Sequence, residues 1–393
     1  MAEPLIPEGS RAPEIKELLG LQLTAGVGAV TYRRLLKVFG SVQGILAAPA
    51  SRVEEVDGVG PKRARSLASG EGLEVAGREI ERAAELGVEL ISYLDAGYPP
   101  ALKQIYDPPL VLYVRGKILP RDALSIAVVG ARNCSYYGKT QAGSFSGALA
   151  EMGFTIVSGL ARGVDTAAHR GALEAGGRTL AVMGRGLAGV YPPENADLAE
   201  RISANGALIS ELPLDLRPSR ETFPRRNRLI SGMSLGTLIV EGSRRSGSLI
   251  TAHCALEQGR EVFALPGKVD NVLAGGPNSL IKTAGAKLVE SPRDVLEELG
   301  PVADDLVGLR VGDTRETGGN GDSGSAMSDV RSAGLNSRER SVFERLSVDP
   351  QQLDALIERC GMPPAEVASI LMVLEIRRLA RRLPGQRYIR AAR

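Results

Sequence analysis

FPRRNRLISGMSLGTLIVEGSRRSGSLIT, residues Phe223 to Thr251, is the stretch on which the rest of the chain can be placed. Arg225, Arg226 and Arg228 crowd four positions, starting two residues after Phe223. An apolar run from Leu235 to Val240 follows, and then Arg244 and Arg245 lead into Ser246-Gly247-Ser248. The pattern predicts a helix, a buried strand and a second helix, with cations and small hydroxyls gathered at the strand's carboxyl end. Ligands of open α/β sheets bind at that end. A helix N-terminus with free N–H groups favours an anion, and Gly247 lets a phosphate come close. The stretch reads as a site for a phosphate backbone, and its length points to a polynucleotide.

Outward from it, apolar runs alternate with helical patterns from Ser125 to about Leu299. The expected strands are SIAVVG, TIVSG, TLAVMG, ALISE, LGTLIVEG and REVFALPG, with AKLV as a short last one. Unbroken apolar runs suit strands covered on both faces. Strand-helix-strand order at this spacing gives a Rossmann-like, mostly parallel sheet in an α/β protein. Gly130-Ala131-Arg132 ends the first strand, Ser158-Gly159 the second and Gly184-Arg185-Gly186 the third. GARNCSYYG lacks G-x-G-x-x-G, no acidic residue ends the second strand, and no P-loop occurs. What is left is a rim of glycines, hydroxyls and arginines with no pocket for a particular base, which grips a backbone by its phosphates.

The bulk composition narrows the classes. A chain of 393 residues accommodates two or three domains, and its net charge of +2 leaves any attraction to nucleic acid to local clusters. Trp is absent, so base stacking would depend on a few named aromatics. The opening MAEPLIPEGS holds no apolar run, so no signal peptide is expected, and no segment is apolar for long enough to span a membrane. Cys134, Cys254 and Cys360 are far apart and form no C-x-x-C, which fits a reducing cytoplasm and neither a disulfide framework nor a metal site. No cofactor is expected.

Two segments near the start are copies at an offset of 32 residues: AGVGAVTYRRLLKVFG from Ala25 and DGVGPKRARSLASG from Asp57. Gly26, Gly28, Gly58 and Gly60 would supply positive φ angles and exposed N–H groups, and Pro61 stands where a first helical residue belongs. The pair resembles a helix-hairpin-helix (SAM-like) domain, whose turns hold DNA phosphates; the same glycines would also serve a helical domain that only needs tight turns. A helix and the strand VELISYL follow, and then GYPPALKQIYDPPLVLYVRG, whose prolines predict a connector. Residues 302–334, rich in Gly, Asp and Ser, read as a flexible tether. Beyond them SRERSVFERLS, PQQLDALIERCG and PPAEVASILMVLEIRRLARRL predict three helices and PGQRYIR a hairpin wing, a winged-helix layout. Ile376 to Arg393 holds seven arginines and no acid, which suits duplex phosphates or a solvated basic face on a protein-interaction module. The expected domains are 1–77, 78–300 with connector and core, a linker 301–334, and 335–393.

The core motifs GARNCSYYG, SGLARGVDTAAHRGALEAGGRTLAVMGRGLAGVYPPEN, FPRRNRLISGMS and SGSLITAHCALEQGREVFALPG resemble, in order, the bacterial DNA-processing protein A (DprA/Smf) family over roughly Ala96 to Leu299. The resemblance implies a protein of natural transformation that binds single-stranded DNA, protects incoming strands, loads the RecA recombinase and dimerises through the Rossmann-like domain. Carried over by motif, the DNA-contacting positions would be Gly130, Arg132, Ser158, Gly159, Phe223, Arg225, Arg226, Asn227, Arg228, Gly247, Ser248 and Thr251. Arginine forks pair with phosphate oxygens and Phe223 offers a stacking face. One or two of the three arginines are expected to pair with Glu241 or another carboxylate.

Catalytic readings are weaker. Asp165 and His169 fall four apart on one helix face with Ser158 upstream, but no G-x-S-x-G elbow is present. Asp165 is better read as ordering a helix start and His169 as packing on the sheet. The alternative function is a nucleotide-binding or nucleotide-hydrolysing enzyme, because GTLIVEG resembles the P-G-G-x-G-T-x-x-E of lysine-decarboxylase-like phosphoribohydrolases. Here the paired glycines are missing, and Thr237 and Glu241 stand one residue too far apart. No catalysis is expected.

Overall fold

The apolar runs become strands, and the strands one sheet. In chain order they are β1 (Glu89–Ser92), β2 (Val111–Gly116), β3 (Ser125–Val129), β4 (Thr155–Ser158), β5 (Thr179–Val182), β6 (Ala207–Ser210), β7 (Gly236–Ile239), β8 (Glu261–Ala264) and β9 (Lys287–Leu288). The sheet order is β1-β2-β6-β5-β4-β3-β7-β8-β9. All pairs from β6 to β9 are parallel, whereas β2 runs antiparallel to both β1 and β6. Every residue of β3, β4, β5, β6 and β7 is buried, as double coverage by helices requires. This computed structural model describes residues 14–24, 26–300, 337–347, 351–376, 379–383 and 387–390.

The chain turns back at β3. Strands β3 to β6 are laid down in one direction, and β7 to β9 start again on the other side of β3. The carboxyl ends of β3 and β7 therefore diverge into the crevice where such sheets bind ligands.

The expected connector contains a strand. Pro108 and Pro109 stop just short of β2, whose LVLYVRG run then pairs on both edges. Proline costs a ladder only where its missing N–H is needed, and here it stands outside the ladder. Gln22, on the first helix (Ile15–Leu23), fastens that edge: its amide donates to the Val111 and Glu211 carbonyls and its oxygen accepts from the Val111 N–H. The N-terminal helices and the sheet form one compact unit with a continuous apolar core from Leu18 to Leu280. The expected boundary at 77/78 falls inside the helix Glu71–Glu85.

The duplicated turns share a backbone. Gly26 and Gly58 take φ of +79° and +78°, in the region that favours glycine. Gly28 and Gly60 do not; each is an extended N-cap, opening the helices Ala29–Phe39 and Pro61–Ala68. Arg34 donates to the Asp57 carbonyl and Arg63 to the Gly58 carbonyl, so the two arginines brace the second turn.

In the second unit the helices Ser337–Arg345, Leu353–Cys360 and Pro364–Ile376 surround Val342, Phe343, Leu356, Leu371 and Leu374. Its sheet holds β10 (Gln351–Gln352), β11 (Ala380–Leu383) and β12 (Arg387–Arg390), ordered β10-β12-β11. The third helix is shorter than expected, because ARRL pairs with RYIR as the wing. The expected tether at 302–334 lies outside the described residues.

Candidate nucleic-acid interface

An open cleft of about 520 Å³ lies at the divergence of β3 and β7. Gly130 and Arg132 reach it from the end of β3. Phe223, Arg226 and Asn227 come from the helix Thr222–Gly232, and Gly247, Ser248 and Thr251 from the start of the helix Ser248–Glu257. Eight of the residues singled out from the sequence thus meet in one place.

Arg226 forms the floor. It is only 4% exposed, and its guanidinium donates to the carbonyls of Gly159 (2.7 Å) and Val182 and to Asn227 Oδ1 (3.2 Å). Burial pushes this arginine down to about 10, with the Asp165 charge opposing that and Arg132 adding to it. The site needs a glycine at 159, since a Cβ there would stand 2.2 Å from the Arg226 guanidinium. Asp165 also lines the cleft, accepts from the Ala161 N–H and is raised by burial against the pull of Arg226. A buried cation and a buried carboxylate each cost several kcal/mol to desolvate, and the attraction between Arg226 and Asp165 offsets part of that cost.

Arg132 is exposed on the rim, its guanidinium 4.7 Å from the Phe223 ring centroid. That contact holds the cation over the cleft without spending its hydrogen bonds. Across from it, Gly247 caps the helix Ser248–Glu257 without a side chain. Ser246 accepts from the Ser248 N–H through its hydroxyl (3.4 Å) and from the Leu249 N–H through its carbonyl (3.1 Å), and a Cβ on Gly247 would meet nothing within 4 Å. Gly159 is filled by protein and Gly247 faces open space. Asn227 ties the two sides together by donating to the Gly247 carbonyl (3.2 Å).

The remaining singled-out residues lie elsewhere. Ser158 is fully buried and its hydroxyl donates to the Val128 carbonyl (2.7 Å). Arg228 points away from the cleft, paired with Asp107 (2.9 Å) and Glu211 (2.5 Å). Arg225 is exposed but lines no part of the cleft; its charge acts on Asp107. The expected pairing with Glu241 or another carboxylate is thus made by Arg228 with Asp107 and Glu211, whereas Glu241 is 2% exposed and accepts from the N–H and hydroxyl of Ser135, bracing the helix Tyr136–Glu151. Helical geometry separates the arginines: successive residues point about 100° apart, so Arg226 cannot share a direction with either neighbour in the run. Arg220 and Asn133 line the cleft and were not singled out, and Ser246, noted only as part of the hydroxyl cluster, joins them. Nothing in the local pattern of Arg220 and Asn133 distinguishes them from ordinary loop residues.

The hydrolytic constellation is not assembled. His169 Nε2 accepts from the Leu160 N–H and Nδ1 meets the Thr179 hydroxyl (2.6 Å), which itself donates to the Ile156 carbonyl. That chain requires a neutral imidazole with its proton on Nδ1. Burial, with Arg226 nearby, pushes His169 down to about 3. Thr237 is buried within β7, and both Glu241 oxygens accept from Ser135. No described helix is long and apolar enough to cross a membrane.

Sequence comparison covers the same residues. The family described as DNA recombination-mediator protein A matches 89–300, which spans the whole sheet and the cleft, and the DprA winged helix domain matches 328–386. Protein Smf of Escherichia coli is 42% identical over 298 residues, 75% of each chain. Protein Smf of Synechocystis is 32% identical over 93% of this chain and 96% of that one. The X-ray structure of DNA processing protein A from Streptococcus pneumoniae superposes with a TM-score of 0.65 at 35% identity, covering 73% of this chain and 99% of that one. With half the chain in the family match, and the cleft built from that half, the chain belongs to the DNA recombination-mediator protein A (DprA/Smf) family.

Proposed function

We propose that the cleft holds single-stranded DNA by its phosphate backbone, without regard to sequence and without chemistry. The observation that carries this is the pairing of Arg132 over Phe223 with the exposed Gly247 backbone at a helix start, across a floor that holds the buried cation Arg226. Cations and the exposed Gly247 backbone serve phosphate, one aromatic serves any base, and no donor–acceptor set selects a particular one. Family membership supports a place in recombination: protecting incoming strands, handing them to a RecA recombinase during natural transformation, and acting as a homodimer in the cytoplasm. Arg132, Phe223, Arg226, Asn227, Gly247, Ser248 and Thr251 are the contacts; Ser158 and Arg228 support them from behind.

Fluorescence anisotropy with oligo-dT tests the reading. Arg132, Arg220 and Arg226 together neutralise about three phosphates, which predicts a log K against log salt slope of about −2. Replacing Arg132 by Ala flattens that slope by roughly 0.7 and weakens all sequences alike. Turnover of a mononucleotide, or binding indifferent to salt, would favour the nucleotide-hydrolysing enzyme instead.

A further inference from the structure

A smaller cleft adjoins the main one, sharing Arg132, Ala161 and Phe223 and adding Gly159, Gly184, Arg185, Tyr191 and Pro192. Resting on the reading of the main cleft, we infer that Tyr191 is a second base-stacking residue, so that the strand's phosphates follow the main cleft while its bases cross from Phe223 to Tyr191.

The two rings form a step. Their centroids are 6.0 Å apart with planes inclined by 42°, and Tyr191 is 38% exposed, more than a ring used only for packing needs to be. Both are held from behind. The Phe223 ring lies on Gly184, where a Cβ would come within 2.7 Å of it, and the preceding Thr222 hydroxyl donates to the Gly184 carbonyl. Arg185 donates to the carbonyls of Gly186 and Val190, fixing the loop that ends at Tyr191. Arg185 is thereby occupied and Arg162 pairs with Glu194, so the smaller cleft adds no cation for a phosphate beyond the Arg132 it shares with the main one. Its volume, about 30 Å³, is far below that of a nucleobase. A base therefore docks on the exposed Tyr191 face, not inside the cleft. Preheld aromatic platforms in sequence are how strands are bound without base selection.

Absence of tryptophan from the chain gives a direct assay. Tyr191→Trp in the 393-residue chain carries a single indole, to be titrated with oligo-dT and with an abasic oligomer of equal phosphate count. Quenching by oligo-dT and none by the abasic strand is the expected result. In parallel, Tyr191→Ala weakens oligo-dT binding about tenfold, about 1.4 kcal/mol, with an unchanged salt slope and unchanged affinity for the abasic strand, and Tyr191→Phe restores the parent value. A purely structural residue would lower affinity for both strands together. If oligo-dT binds the parent tightly but neither quenches the indole nor notices Tyr191→Ala, the inference falls and the phosphate cleft stands. If oligo-dT does not bind the parent at all, both fall.

Discussion

Replacing Gly247 by Asp sets stability against binding at one atom. The backbone there is helical, with φ of −61°, and a Cβ meets nothing within 4 Å, so a side chain enters without strain. Removing glycine's freedom in the unfolded chain stabilises by about 0.4–1 kcal/mol. A carboxylate at the N-cap of the helix Ser248–Glu257 adds about 0.3–1 kcal/mol through the helix dipole. The variant is expected to melt a few degrees higher than its parent. The same carboxylate would stand where the backbone phosphate is held. At about 4 Å and an effective dielectric near 20 the repulsion is about 4 kcal/mol, and solvent in so open a cleft reduces it to about 2–4. Affinity for oligo-dT should therefore drop about 30-fold to 1,000-fold. Gly247→Ala, which adds volume without charge, should stabilise and cost much less affinity. Differential scanning calorimetry with anisotropy at a fixed salt concentration reads both quantities. A Gly247→Asp protein that melts higher and still binds within about twofold of its parent would show that no phosphate approaches this helix, and the argument from the exposed Gly247 backbone would be refuted.

Other outcomes separate the roles of neighbouring residues. Arg228→Met strands the buried Glu211 and should cost about 3–5 kcal/mol in urea unfolding while leaving the salt slope of DNA binding unchanged. Gly159→Ala displaces the Arg226 guanidinium and should weaken binding of every strand sequence in anisotropy, although residue 159 sits behind the arginine that meets the phosphate. His169 gives a pH signature: burial holds it near 3 in the fold against about 6.5 when unfolded, so only the unfolded chain takes up the proton between these values. Stability is complete above about pH 6.5 and falls as pH drops, by about 2 kcal/mol at pH 5. Asp165, raised by burial, works in the opposite direction, so the imidazole's share is the slope lost in His169→Gln.

The core was legible because its signals are local. Runs such as IAVV and TLIV have a single use in a protein of this composition, and glycine-rich turns between them fix where strands end. The crevice at the end of β7 followed from the same pattern. Legibility failed where an element depends on a distant partner. VLYV after Pro109 is a strand only because β1 and β6 present free edges to it. ARRL continues a helical sequence pattern, yet it pairs with RYIR. The winged-helix pattern was otherwise visible from its apolar spacing.

Taken alone, the sequence determined the residue types at the site and their order along the chain: an aromatic, a burst of arginines, a strand and a glycine-opened helix. It had no means of dividing labour among them. Which arginine becomes the buried floor, which pairs with Asp107 and Glu211, and which stays in solvent depends on the face that the helix Thr222–Gly232 lays against the sheet. That face is chosen by packing on Ile105, Gly159 and Gly184, residues scattered over the chain and brought together only by folding. A charge's role is set by what surrounds it, and surroundings are a tertiary property.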